Sequence, residues 1–160
     1  MSNEIKVSIS DYKVSESPDK LITLGLGSCV GIAIYDKSTR VGGLSHIMLP
    51  DSSFFSGEIK PEKFADLAIP KMVGEITNGR KNRNLVAKIA GGASMFNFPN
   101  KVEGDSIGDR NVKAVITKLE ELGIPVLSRH TGGKIGRTMI VNLDDFTVNI
   151  RTGNRDIINL

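Results

Sequence analysis

The chain has one cysteine, two histidines and no tryptophan in 160 residues. A lone thiol cannot close an internal disulfide, and one cysteine with two histidines is a poor stock for a structural zinc site. No apolar run approaches the ~18 residues that a membrane span requires. The charged opening MSNEIKVSISDYK lacks the apolar segment of a secretory leader. The expected setting is therefore the cytoplasm, with no membrane insertion. Charge is also in short supply: 21 basic against 18 acidic residues leave +3, too little to imply nucleic acid, and 5% aromatics offer few platforms for base stacking.

What remains is ordinary globular material, with 39% hydrophobic and 24% charged residues. A chain of this length fits one domain, here residues 1–160, and buries roughly 70% of the surface it exposes when unfolded. Ile5, Val7 and Ile9 alternate with polar residues as a half-buried strand does. Short apolar runs follow at Leu21 to Leu26, Val30 to Tyr35 and Val41 to Leu49, the last two spaced as a hairpin around the charged turn Asp36 to Arg40. From Pro61 the period changes: Phe64, Ala68, Met72 and Ile76 share a helix face, and Pro70 predicts a kink or a restart. Leu85 to Ala90 reads as a strand running into Gly91 and Gly92. Asp109 to Leu122 is the clearest helix, with Ser106 or Asp109 to cap it, Gly123 to stop it and Pro125 beyond. Strands are expected near Val126 to Ser128, Thr138 to Leu143 and Thr147 to Arg151, with a glycine turn from Thr131 to Gly136 that reads as a hairpin connection or an anion-binding nest. The fold class is α+β.

Chemistry concentrates in Thr23-Leu-Gly-Leu-Gly-Ser-Cys29-Val-Gly31. Val30 stands where a dinucleotide fingerprint needs its third glycine, and no lysine occurs before Lys37 to complete a phosphate loop. Glycines beside a cysteine suit covalent catalysis, because a chain without side-chain bulk lets a carbonyl approach and leaves N–H groups to hold an oxyanion. A thiol needs a neighbouring imidazole to become a competent thiolate, and His46, on the strand face of Leu44 and Met48, is the candidate. From the residues alone, Cys29 is equally a small buried hydrophobe, His46 a hydrogen-bonded core residue and Thr23 a plain strand threonine.

The same segment, followed by Gly43-Leu-Ser-His46, resembles the active-site signature of CheD, the family of chemoreceptor glutamine deamidases. Gly91-Gly-Ala-Ser-Met-Phe96, Ile107-Gly-Asp-Arg-Asn111, Gly123-Ile-Pro-Val126, and Thr131-Gly-Gly133 through Gly136-Arg137 continue the family's order, so the likeness runs from about Leu21 to Gly153. It implies a single-domain sandwich of mixed β-sheets flanked by two longer helices, similar to toxin deamidases with a Cys/His pair. It also implies Cys29 as nucleophile, His46 as base and later acid, and Thr23 as the hydroxyl orienting the imidazole, with Gly27, Ser28, Gly91 and Gly92 at the oxyanion or substrate and no cofactor or metal. Substrate and partner would be glutamines on the cytoplasmic domain of methyl-accepting chemotaxis receptors and the CheC phosphatase. Arg80, Lys81, Arg83, Lys134 and Arg137 are available for docking. His130 departs from the acidic residue expected there, and Arg110 and Asn111 cap the start of the long helix, hydrogen-bond nearby loops or line the site. Two rival readings share the same residues: a non-catalytic regulator of receptors or phosphatase, and a receptor glutamyl methylesterase. An activated thiol is expected to react with iodoacetamide well below its unperturbed pKa.

Overall fold

The computed structural model describes residues 2–53, 55–81, 83–94 and 106–160. Met95 and Phe96, the end of one family motif, lie outside them. Two five-stranded sheets pack face to face. The first has the order β1 (Glu4–Lys6), β3 (Lys20–Leu26), β8 (Arg137–Asn142), β9 (Val148–Thr152), β10 (Ile157–Asn159). The second has the order β2 (Asp11–Glu16), β5 (Val41–Ile47), β4 (Val30–Asp36), β6 (Leu85–Gly91), β7 (Val126–Thr131). The pairs β1–β3 and β6–β7 are parallel and the rest antiparallel, so both sheets are mixed. Helices α1 (Ala65–Thr77) and α2 (Ile107–Glu121) cover the outer face of the second sheet. This is the α+β sandwich that the resemblance implied.

Strand β4 explains its own sequence. Each of its residues is buried, because Val30, Ile32 and Ile34 face the helices while Ala33 and Tyr35 face the other sheet. A strand covered on both sides reads as a continuous apolar run, and Val30-Gly-Ile-Ala-Ile-Tyr35 does. Between the sheets, Leu21, Leu26, Met139, Val141 and Ile150 meet Ala33, Leu44, Val86 and Ala90. Cys29 belongs to this inter-sheet layer.

Helix α1 runs unbroken from Ala65 to Thr77 with Pro70 inside it, so no restart occurs. A mid-helix proline costs about 3 kcal/mol. Ile69, Met72 and Ile76 are each at most 2% exposed, and burying such side chains contributes roughly 1.5–3 kcal/mol apiece, which offsets the defect. Helix α2 begins where Ser106 accepts a hydrogen bond from the Asp109 N–H at 3.0 Å and ends ahead of Gly123, whose φ is +69°. Of the two candidate caps, Ser106 is the one used.

Three features differ from the sequence reading. The alternating Ile5–Ile9 stretch is only partly strand: β1 stops at Lys6, Ser10 turns at φ +58°, and the chain then enters β2 in the opposite sheet. Strand β2 carries too few apolar residues to announce itself, since Tyr12 and Val14 alone of it pack on the helix-side core, and β10, at three residues, is too short to show a period. The turn from Thr131 to Gly136 joins β7 in one sheet to β8 in the other, so it is a crossover and no hairpin.

Candidate active site

Thr23 sits on β3 and His46 on β5, in opposite sheets, yet Thr23 Oγ1 and His46 Nδ1 are 2.7 Å apart. Both are buried, at 0% and 2% exposure. Thr23 Oγ1–H donates to the Val7 carbonyl at 2.7 Å. Its one proton is therefore committed, and the hydroxyl can only accept from the imidazole. Nδ1 must carry the hydrogen, which leaves Nε2 with its lone pair. Nε2 is buried with no hydrogen-bond partner among the described residues. A sterically enforced tautomer with an unpartnered basic nitrogen is the arrangement a general base requires.

The hairpin places Cys29 on the same inter-sheet side as this ring. Gly31 pairs with His46 in the β4–β5 ladder, and Cys29 precedes Gly31 by two residues on the inter-sheet side. Cys29 and His46 are thus diagonal neighbours, at the ~7–8 Å backbone spacing that long side chains can bridge. Gly31 puts no side chain between them, and an added Cβ would lie 2.7 Å from Met139 Sδ, so the Met139 side chain would have to move. Strand β5 is hydrogen-bonded on both sides, by β2 and β4, so the His46 backbone is held in the middle of a sheet. Burial raises the Cys29 thiol above its ordinary pKa, opposed by its own backbone N–H, and burial lowers His46 to about 4. At neutral pH the resting pair is a thiol and a neutral imidazole. Both shifts favour the uncharged forms, opposite in direction to a thiolate poised at low pH.

Three consecutive carbonyls of the cysteine loop are tied down from behind. The Ala93 N–H donates to Gly27 O at 2.8 Å, Asn111 Nδ2 to Ser28 O at 2.9 Å, and the Gly92 N–H to Cys29 O at 2.8 Å. A trans peptide points its C=O and N–H in opposite directions, so the N–H groups of Ser28 and Cys29 face away from these braces. The Gly27 N–H is taken by Gly25 O at 3.0 Å, so among the described residues the Ser28 and Cys29 N–H groups are the loop's candidates to hold an oxyanion. Gly91 and Gly92, grouped by sequence with the oxyanion, act instead on the loop's backbone. Gly91 has φ +111°, and a Cβ there would lie 2.3 Å from Cys29 O, while the Gly92 amide is spent on that same carbonyl.

Two further residues are held by tertiary contacts: Asn111 by loop hydrogen bonds, one of its three sequence readings, and Arg137 against its expected docking role. Asn111 is fully buried and does not cap α2: its Nδ2 donates both to Ser28 O and to Met48 O, each at 2.9 Å. No local pattern marks it, because both carbonyls belong to distant segments. Its Oδ1 is buried without a partner among the described residues, a burden of roughly 1–3 kcal/mol that an apolar residue would avoid. Arg137, expected to be available for docking, is 6% exposed and donates inward, to His130 Nδ1 at 2.8 Å, Gly91 O at 3.3 Å and Gly132 O at 2.6 Å. His130 is a neutral acceptor here, its pKa lowered by burial and by Arg137. The Gly132 N–H donates to Gly91 O, so this turn braces the end of β6 and is no open anion nest.

Comparison with known proteins agrees with the resemblance. The family model described as CheD, chemotactic sensory transduction, matches residues 48–152. A protein of Clostridium novyi named probable chemoreceptor glutamine deamidase CheD is 54% identical over 151 residues, covering 94% of this chain and 93% of that one. The chain belongs to the CheD family. Relatives of the same name from Clostridium acetobutylicum and Clostridium botulinum are each 55% identical over 150 residues, covering 93% of this chain and 90% and 93% of theirs. The family model begins at Met48, just after the segment that carries Thr23, Cys29 and His46. Within the CheD family, then, the part of the chain matched by that model supplies the braces: Gly91, Gly92, Ala93 and Asn111.

Proposed function

We propose that this CheD-family protein hydrolyses glutamine side chains of chemoreceptors to glutamate, with Cys29 as nucleophile, His46 as general base and acid, and Thr23 as the group that orients it. The observation that carries the reading is the Val7–Thr23–His46 relay, which fixes the imidazole tautomer and leaves Nε2 without a partner among the described residues, in the inter-sheet layer that also holds Cys29. The names of the relatives supply the substrate class.

The chemistry follows from the neutral resting pair. As Sγ attacks the side-chain amide carbon, Nε2 takes the thiol proton, and the carbonyl oxygen becomes an oxyanion held by the N–H groups of Ser28 and Cys29. The imidazolium, stabilised through Nδ1 by Thr23, returns the proton to the amide nitrogen, which leaves as ammonia. A thioester remains. Water then gives its proton to Nε2 while attacking the thioester carbon, and collapse of the second tetrahedral adduct expels the thiolate, which recovers the proton from His46 and frees glutamate. Each proton taken by His46 is returned, so no metal or cofactor is assigned a task. The natural substrates on this reading are glutamines of the receptors' cytoplasmic helices, with the CheC phosphatase as partner and the cytoplasm as location. Among the described residues, no helix is long and apolar enough to cross a membrane.

The deciding experiment is intact mass spectrometry of a chemoreceptor cytoplasmic fragment incubated with wild type and with Cys29→Ala. Each conversion raises the mass by roughly 1 Da as ammonia appears, with wild type only. No rise on a verified receptor, with or without the phosphatase, favours a binding regulator. Methanol release from methylated receptor without ammonia release from the amide favours a methylesterase.

A further inference from the structure

Where the β4–β5 ladder ends, at Val30 opposite Ile47, the next residues outward are Cys29 on one strand and Met48 on the other. The strands stop pairing there, yet they are not left loose. The side-chain amide of Asn111, from the second turn of α2, donates one hydrogen to Ser28 O and the other to Met48 O. It takes the place of a ladder rung, joining the peptide that precedes the nucleophile to the segment that follows the base.

We infer that Asn111 is a positioning residue that aims the oxyanion donor: by holding the Ser28 carbonyl toward α2 it turns the Cys29 N–H away from α2, toward the substrate carbonyl oxygen that becomes the oxyanion. The inference rests on the deamidase reading and deepens it. Ser28 C=O and Cys29 N–H belong to one planar peptide and point in opposite directions, so fixing the first fixes the second. The neighbouring carbonyls of Gly27 and Cys29 are fixed by backbone donors, from Ala93 and Gly92, which any residue at those positions with the same backbone could supply. Only the middle peptide, the one carrying the nucleophile's own N–H, depends on a side chain. The same N–H lies against the thiol, where it opposes the upward shift that burial imposes. The unpartnered Oδ1 points the same way, because an amide kept fully buried with an unsatisfied acceptor is retained for its two donors. Glutamine is too long for this place, and aspartate would set oxygens against two carbonyls, so asparagine alone fits both bonds.

The test compares wild type, Asn111→Ala and Asn111→Ser as full-length proteins on the chemoreceptor fragment, with Cys29→Ala as the blank. For Asn111→Ala the expected result is a kcat lowered roughly 10- to 100-fold, short of the loss for removing an oxyanion donor outright, with KM changed less than about threefold. Asn111→Ser, which can still donate one hydrogen bond, falls between. The pH at which iodoacetamide labels Cys29 should rise in the alanine variant, which mere loosening of α2 does not produce. A folded Asn111→Ala with wild-type kcat and an unmoved labelling curve overturns the inference while wild-type turnover keeps the deamidase reading. Absent turnover in wild type overturns the reading itself. Should both variants fail to fold, the wild type decides by NMR: both Asn111 side-chain amide hydrogens should exchange with solvent far more slowly than those of exposed Asn154. Equal rates overturn the clamp.

Discussion

Thr23 illustrates how little chemistry a residue needs to bring when its neighbours constrain it. A hydroxyl can donate and accept, and alone it would not choose a tautomer for His46. The Val7 carbonyl removes the choice by taking its only proton at 2.7 Å. Thr23→Val keeps the shape and loses both bonds, leaving Nδ1–H buried without an acceptor, and it should lower kcat roughly 10- to 100-fold through the wrong tautomer and a tilted ring. Thr23→Ser should stay within a few-fold of wild type. Steady-state ammonia release measures both, and equal loss in the two variants would point to packing of the threonine methyl instead of its hydroxyl.

Among the elements, the end of β6 matters most to the site although it contributes no reactive side chain. Gly91 and Gly92 take positive φ, of +111° and +69°, to bring backbone against backbone behind the cysteine loop. Gly91→Ala would place Cβ 2.3 Å from Cys29 O, so the loop must shift. The expected cost is roughly 2–4 kcal/mol in urea unfolding, with deamidation lost even where the protein remains folded. Gly74→Ala is the matching control. It lies within α1 with nothing inside 4 Å of the added carbon, and should stabilise the protein by up to about 1 kcal/mol with activity retained. If Gly91→Ala behaved like Gly74→Ala, the close approach would carry no weight.

For the whole molecule, the site lies between the sheets, and that location sets its response to pH. His46 is 2% exposed in the inter-sheet layer and its pKa falls to about 4 from 6.5 on folding, through burial. Above 6.5 it is neutral folded or unfolded and costs nothing. Between 6.5 and about 4 the unfolded chain binds a proton that the native state does not, so stability falls as pH falls, by roughly 3 kcal/mol across that window. Urea titrations at several pH values should show wild type losing about that much more than His46→Gln between neutral and acid pH. Identical pH dependence in the two proteins would mean that His46 is far better solvated than its burial implies.

The split between what was legible and what was not follows the range of the interactions. Helix α2 was readable to within a residue or two, since its apolar stripe, Ser106 cap and Gly123 stop are contiguous in the chain. The β4–β5 hairpin was readable for the same reason. Strand β2 was not, because it is stabilised by pairing with the distant β5 and carries little pattern of its own, and β10 was not, because three residues are too few to show a period. At the site, composition singled out Cys29 as the only thiol and placed it in a glycine-flanked turn, and motif order pointed to the family. The tautomer of His46 depends on residues from three strand regions across two sheets, and the clamp on Ser28 comes from a side chain 83 positions away. Such contacts exist only once the sandwich has closed. The sequence by itself therefore determined the helices, the central hairpin and the identity of the thiol and imidazole. The tertiary structure decided which His46 nitrogen lacks a partner, which carbonyls of the cysteine loop are held, and that burial pushes both groups toward their uncharged forms, because each depends on burial and on partners that no local pattern encodes.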